Sequence, residues 1–177
     1  MSMKKVGSIE VYELDENLDK YTRKEREEYI NELFKQEYQG KEISYLLNGE
    51  EIKALINSTT RKNFRAYQHS DKFEYRNAYN ARQDIAFSDD YISLISNASH
   101  YATRDEKKIG QNKNHKVKNK WHYFIKYIVC NEYYFMVVID ILESNSKFII
   151  YSTKLKEVDS PTISRGYTPT SSATNIS

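Results

Sequence analysis

The chain has 177 residues, of which 39% are hydrophobic and 29% charged, and a mean hydropathy of -0.80. That fits one domain with a single core, and no run approaches the roughly 20 apolar residues of a spanning helix. The formal charge of +2 conceals an uneven distribution: residues 1–50 hold 12 acidic and 8 basic residues, whereas residues 100–126 hold 8 basic and 2 acidic. Residues 58–82 hold 6 basic and 2 acidic residues. Two basic central segments suit a polyanionic partner, although a solvated surface accounts for either one alone. The first residues, MSMKKVGSIEVYELDENLD, have no apolar run behind their lysines. No signal peptide is expected, and the protein is placed in the cytoplasm. The single cysteine, Cys130, excludes an internal disulfide framework and reads as a small buried hydrophobe.

In chain order, VGSIEVYELD reads as a short edge strand or an extended lead-in. The segment 21–40 is a helix: Thr22 and Glu25 make a capping box, Gly40 is a stop, and Tyr29, Ile30, Leu33, Phe34 and Tyr38 share a face. Residues 43–57 form a hairpin about Asn48-Gly49, the preferred pair for a type I′ turn. Residues 58–87 are ambiguous and partly helical. A second helix is expected over 88–102, with Ser88 as N-cap and Asp89 and Asp90 in its first turn. Residues 100–119 read as a polar basic loop. Three strands follow at about 120–130, 133–142 and 147–153, joined by short turns as an antiparallel meander. Trp121 and Tyr123 share one face of the first and are expected to anchor it in the core, with His122, Phe124, Lys126 and Ile128 on the other. From Val158 both prolines and many Ser/Thr residues mark a flexible tail. The expected fold is α+β: N-terminal helices packed on an antiparallel β-sheet made of the hairpin and the C-terminal meander, in a single domain over 1–157.

No glycine-rich phosphate loop, HExxH, GxSxG or paired-carboxylate motif is present. Asp140 lies in an apolar strand without an acidic partner in register, which argues against a two-metal nuclease. No metal or cofactor is expected. Metal-free cleavage of a phosphodiester needs an acid, a base and cations for the charged phosphorane. The stretch KNHKVKNKWHYF (113–124) offers His115 and His122 as proton carriers, with Lys113, Lys116, Lys118 and Lys120. Tyr151, Ser152, Thr153 and Lys154 add hydroxyls and another cation, and Arg61 and Lys62 stand after the hairpin. His115 is either a solvated bystander or a proton shuttle. His122 is either functional or simply solvent-facing. His69 and His100 read as capping or solvated residues at helix ends.

The succession GKEISYLLNGEEIKALINSTTRKNF, ISLISNASHYA, NHKVKNKWHYFIKYIVCNEYYFMVVIDI and FIIYSTKLKE resembles the barnase/EndoU/colicin/RelE-like nuclease domains of phage and prophage polyvalent proteins and polymorphic toxins. The likeness covers about residues 40–156, and its most specific parts are the loop histidine and Trp121-His122-Tyr123-Phe124. It implies a metal-independent endoribonuclease toxin that cleaves RNA, tRNA among the candidates, to a 2′,3′-cyclic phosphate. His115 corresponds to the loop histidine and Tyr151 to the aromatic residue of the closing strand; His122 falls where members vary. The catalytic set expected is His115, His122, Tyr151 and Lys118, with Arg61, Lys62, Lys113, Lys116, Lys120 and Thr153 on RNA. A cognate immunity protein is the implied partner, and delivery by a phage or secretion system the implied route. The competing expectations are a non-catalytic phage-encoded protein that binds or inhibits a host factor, and a plain nucleic-acid-binding module.

Overall fold

The computed structural model describes residues 2–7, 9–13, 20–66, 73–106 and 119–159. Their order is β1 (Ser2–Val6), β2 (Ile9–Glu13), α1 (Arg23–Leu33), β3 (Glu42–Leu47), β4 (Glu50–Leu55), α2 (Ser58–Ala66), α3 (Phe73–Phe87), α4 (Tyr91–Ile95), β5 (Ser99–Asp105), β6 (Lys120–Cys130), β7 (Tyr133–Ser144) and β8 (Lys147–Glu157). A π-helical turn, Phe34–Tyr38, continues α1. The fold is α+β, as the sequence predicts.

Helix α1 begins where its chemistry requires. Thr22 Oγ1 accepts from the Glu25 N–H at 3.1 Å, and Glu25 Oε1 accepts from the Thr22 N–H at 3.2 Å. It ends before Gly40, whose φ of 94° sits in the left-handed region and whose N–H donates to the Ile56 carbonyl at 2.8 Å. Ile30, Phe34 and Tyr38 are buried. Tyr29 instead lies outside, with its hydroxyl on Asp89 and its ring against Phe87.

Eight strands form one sheet, in the order β1-β2-β6-β7-β8-β4-β3, with β5 also on β6. Three of its hairpins close on two residues with positive φ: Asn48-Gly49 (53° and 82°), Asn131-Glu132 (50° and 70°) and Asn145-Ser146 (53° and 62°). Such turns match the right-handed twist of the strands, and asparagine tolerates their first position. The sheet is larger than a hairpin beside a meander. Strand β4 pairs in parallel with β8 through Ala54↔Phe148 and Leu55↔Ile149. Strand β2 pairs in parallel with β6 through Glu10↔Ile128 to Tyr12↔Cys130. Strand β8 runs to Glu157, past the expected end at 153, and Val158 donates its N–H to the Tyr134 carbonyl at 2.9 Å.

The expected helix over 88–102 is corrected. Ser88 is no N-cap; its Oγ donates to the Asp84 carbonyl and finishes α3. Asp89 (φ 66°) turns the chain, and the helix that follows is only Tyr91–Ile95. Asn97 (φ 60°) then turns it again. Residues 99–105, expected as helix end and loop, are a strand because the lower half of β6 offers them a free edge.

The helices cover one face. Phe124, Ile128, Phe135, Val137, Ile139, Ile141 and Ile150 meet Phe34, Phe64, Ile85, Tyr91 and Leu94 there, each worth about 1.5–3 kcal/mol when fully buried. Cys130 is in this core, and burial pushes its thiol up to about 12, as suits a small buried hydrophobe. Lys126 also points inward. Its ammonium donates to Glu10 Oε1 at 2.8 Å and to the carbonyls of Ser93 at 2.6 Å and Ser96 at 2.9 Å, tying β2 and β6 to the end of α4. Burial holds its pKa below the ordinary 10.5, against the opposing pull of Glu10.

Beyond Ile149, β4 no longer pairs with β8, and helix side chains take over the exposed edge. The Thr60 hydroxyl donates to the Ile150 carbonyl. Asn63 Nδ2 donates to the Tyr151 carbonyl at 2.8 Å, and Arg82 Nη1 to the Thr153 carbonyl at 3.0 Å.

Candidate functional site

This edge carries a bulge. Asp140 pairs with Ser152 and Ile141 with Ile150, which leaves Tyr151 as the extra residue on β8. A bulge bends its strand and re-aims a side chain. Here the Tyr151 ring stands edge-on to Trp121, centroids 4.8 Å apart at 89°. Trp121 shares its side of β6 with Tyr123, on the face away from the helices.

Tyr151, Trp121 and Tyr123 line a pocket of about 270 Å³ with Asn63, Arg104, Asp140, Ser152 and Lys154. Arg104 lies opposite Trp121 on β5, and its guanidinium stands over the Tyr123 ring at 5.7 Å. At the floor is Asp140, whose side chain is 7% exposed. Its Oδ2 accepts from Ser152 Oγ at 2.7 Å and from Lys154 Nζ at 2.9 Å. Its Oδ1 is buried and has no hydrogen-bond partner among the described residues. A buried carboxylate oxygen without a donor costs free energy.

Of the residues predicted from the sequence, the pocket takes Tyr151 and the neighbouring Ser152 and Lys154. Thr153 is turned the other way: it is buried, with its hydroxyl 3.4 Å from the Tyr91 hydroxyl. Its side chain is therefore covered by the core and does not line the pocket. Arg61 is engaged elsewhere, donating to Asn31 Oδ1 at 2.8 Å and Gln39 Oε1 at 3.2 Å. Lys62 and Lys120 are exposed, and neither lines the pocket. His115, Lys113, Lys116, Lys118 and His69 lie outside the described residues. The described residues on either side of 107–118, Glu106 and Asn119, are joined by a backbone hydrogen bond of 3.0 Å.

At residues 121–124 the faces of β6 are the reverse of the expectation, whereas further along the outer face Ile125 and Tyr127 are buried with Met136. Trp121 and Tyr123 do not anchor the core; they wall the open pocket. His122 is 3% exposed and faces inward. Its Nε2 lies 2.7 Å from Glu143 Oε1 and its Nδ1 2.8 Å from Thr103 Oγ1. Thr103 Oγ1 is in turn 2.8 Å from His100 Nε2. Burial and the adjacent His122 hold the His100 pKa below 6.5, partly offset by a hydrogen bond with the Ala102 backbone. His100 is thus a strand residue in a polar chain rather than a helix cap.

Asn63, Arg104, Trp121, Tyr123 and Asp140 are the pocket residues that sequence reasoning did not nominate. The available signal was the lone Asp in YYFMVVIDIL: an acid in a run that is apolar on both faces is costly unless it serves something. Arg104 gave none, because its segment read as loop.

No family model matches the chain, and no curated protein or solved structure shows significant similarity to it. Among the described residues no helix is long and apolar enough to cross a membrane.

Proposed function

We propose that the protein binds RNA in the outer-face pocket and cleaves it without a metal ion, by transesterification to a 2′,3′-cyclic phosphate. The observation that carries this reading is Asp140, a buried carboxylate with one unpartnered oxygen in a pocket walled by Trp121, Tyr123 and Tyr151 and flanked by Arg104 and Lys154. Aromatic faces stack on bases, and the two cations suit a phosphate. The sheet neighbours of Asp140 are Tyr123 and Ser152, not carboxylates, so its chemistry is that of a proton acceptor. In this reading the Asp140 carboxylate takes the proton of the ribose 2′-hydroxyl as that oxygen attacks phosphorus. Arg104 and Lys154 offset the charge of the phosphorane. The departing 5′ oxygen takes a proton from Tyr151 or from His115, the histidine nominated by the sequence. The resemblance to toxin nuclease domains supports the same reaction class and adds a cognate immunity protein as partner.

A second reading, RNA binding without cleavage, is favoured by the position of His122. The described histidine nominated for proton transfer is on the opposite face, held between Thr103 and Glu143. Total RNA and tRNA incubated with the protein in EDTA separate the two. Fragments ending in a 2′,3′-cyclic phosphate, lost in Asp140→Asn and in either Tyr151→Phe or His115→Ala, support cleavage. Intact RNA bound with steep salt dependence supports the binding module. RNA neither bound nor cut removes both.

A further inference from the structure

The polar chain on the inner face has an order that packing alone does not require. A carboxylate can only accept, so His122 Nε2 carries the proton toward Glu143. In the neutral tautomer with its hydrogen on Nε2, Nδ1 presents its lone pair to Thr103 and takes the hydroxyl hydrogen. The Thr103 oxygen is left to accept from His100 Nε2–H. Carboxylate, imidazole and hydroxyl therefore stand in the sequence of an activated nucleophile, with base and orienting group each at hydrogen-bond distance. Three adjacent strands hold it: Thr103 pairs with His122 and His122 with Ile141, two residues before Glu143. The ends differ in access. His122 is 3% exposed, whereas Thr103 is exposed to solvent. The base is locked in place while the hydroxyl it faces is open to a reactant.

We propose that Glu143, His122 and Thr103 form a second reactive centre, in which the Thr103 hydroxyl is a nucleophile toward activated acyl groups. Thr103 Oγ1 attacks the carbonyl carbon of an ester as its proton passes to His122 Nδ1. Glu143 stabilises the resulting imidazolium. The bond from carbonyl carbon to alcohol oxygen breaks, and the alcohol departs with the proton from His122. The acyl group remains on Thr103 as an ester. Water then adds with His122 again as base, and Thr103 leaves with the proton, so that ester and water yield acid and alcohol. The centre lies on the opposite sheet face from the pocket and does not depend on the RNA reading.

The test is p-nitrophenyl acetate with the full chain, followed by release of nitrophenolate and by peptide mapping of the acetylated protein. The expected result is a burst of nitrophenolate with one acetyl group on the peptide containing Thr103. Thr103→Ser should keep the burst, and Thr103→Val should lose it. Glu143→Gln should slow it by about 10²–10⁴-fold, the usual worth of acid–base assistance. A far-UV spectrum establishes that each variant is folded. If Thr103→Val does not fold, the comparison of Thr103→Ser with Glu143→Gln decides, because a merely structural hydrogen-bond chain would leave the two equally reactive. Acetyl groups spread over lysines, with Thr103 unmodified, overturn the proposal, as does a burst that Glu143→Gln leaves unchanged.

Discussion

The two faces of β6 are one residue apart in sequence and opposite in character. On the inner side, His122, Phe124, Lys126 and Ile128 are sealed under the helices or partnered within the sheet. On the outer side, Trp121 and Tyr123 border a pocket whose buried carboxylate has an oxygen left over. Both faces hold charged and aromatic groups, so residue type does not separate them. Along β6 and its neighbour the partnering differs: the inner His122 and Lys126 have every side-chain nitrogen hydrogen-bonded, and Asp140 has one oxygen that is not. Unpaired polarity in a concave, partly aromatic setting is the physical mark of a surface made for a ligand.

That contrast can be broken by substitution. Asp140→Asn keeps the shape of the floor but removes the proton acceptor. Cleavage of RNA should fall by about 10²–10⁴-fold in a gel assay, while the far-UV spectrum stays that of the folded chain. Phe124→Ala should do the reverse. Its ring is fully buried, 4.7 Å from that of Tyr45, and its loss should cost about 3–5 kcal/mol in urea denaturation. Trp121→Ala should weaken RNA binding by about 1–3 kcal/mol, read by titration with a labelled oligonucleotide, with stability nearly unchanged. Equal effects of Phe124→Ala and Trp121→Ala on stability would mean that the outer face is core after all.

The smallest effect is expected from pH. Burial and His122 hold His100 below its ordinary 6.5. On acidification the unfolded chain therefore takes up that proton first. The contribution of His100 is complete above about pH 6.5 and is lost as pH falls through the unfolded value toward the folded one. His100→Gln should flatten the decline in urea midpoint between about pH 7 and pH 5; an unchanged slope would place the acid sensitivity elsewhere.

Local chemistry made much of the chain legible. The Thr22–Glu25 box, Gly40 and Asn48-Gly49 act within a few residues, so their consequences can be read directly. The three C-terminal strands were equally plain, because a long β-branched and aromatic run interrupted by Asn-led turns has few alternatives. The short helix α4 and strand β5 were not legible. SDDYISLISNASHYA carries helical spacing throughout, and only the free edge of β6 draws 99–105 into a strand. The site was half legible. Tyr151 was nominated for the right strand, and Lys154 beside it, whereas Arg104 needed β5 to exist before it could reach Tyr123.

By itself the sequence determined the α+β class, the turns and the alternation that puts Trp121 and His122 on opposite sides of one strand. Alternation is a property of the extended backbone and needs no partner. Which side would be covered is a property of the whole. It was decided by where α1, α3 and α4 dock, by the parallel joining of β4 to β8, and by the bulge that turns Tyr151 outward. Burial is shared among elements distant in sequence, so the face that became core and the face that became pocket were settled only when the sheet closed against its helices.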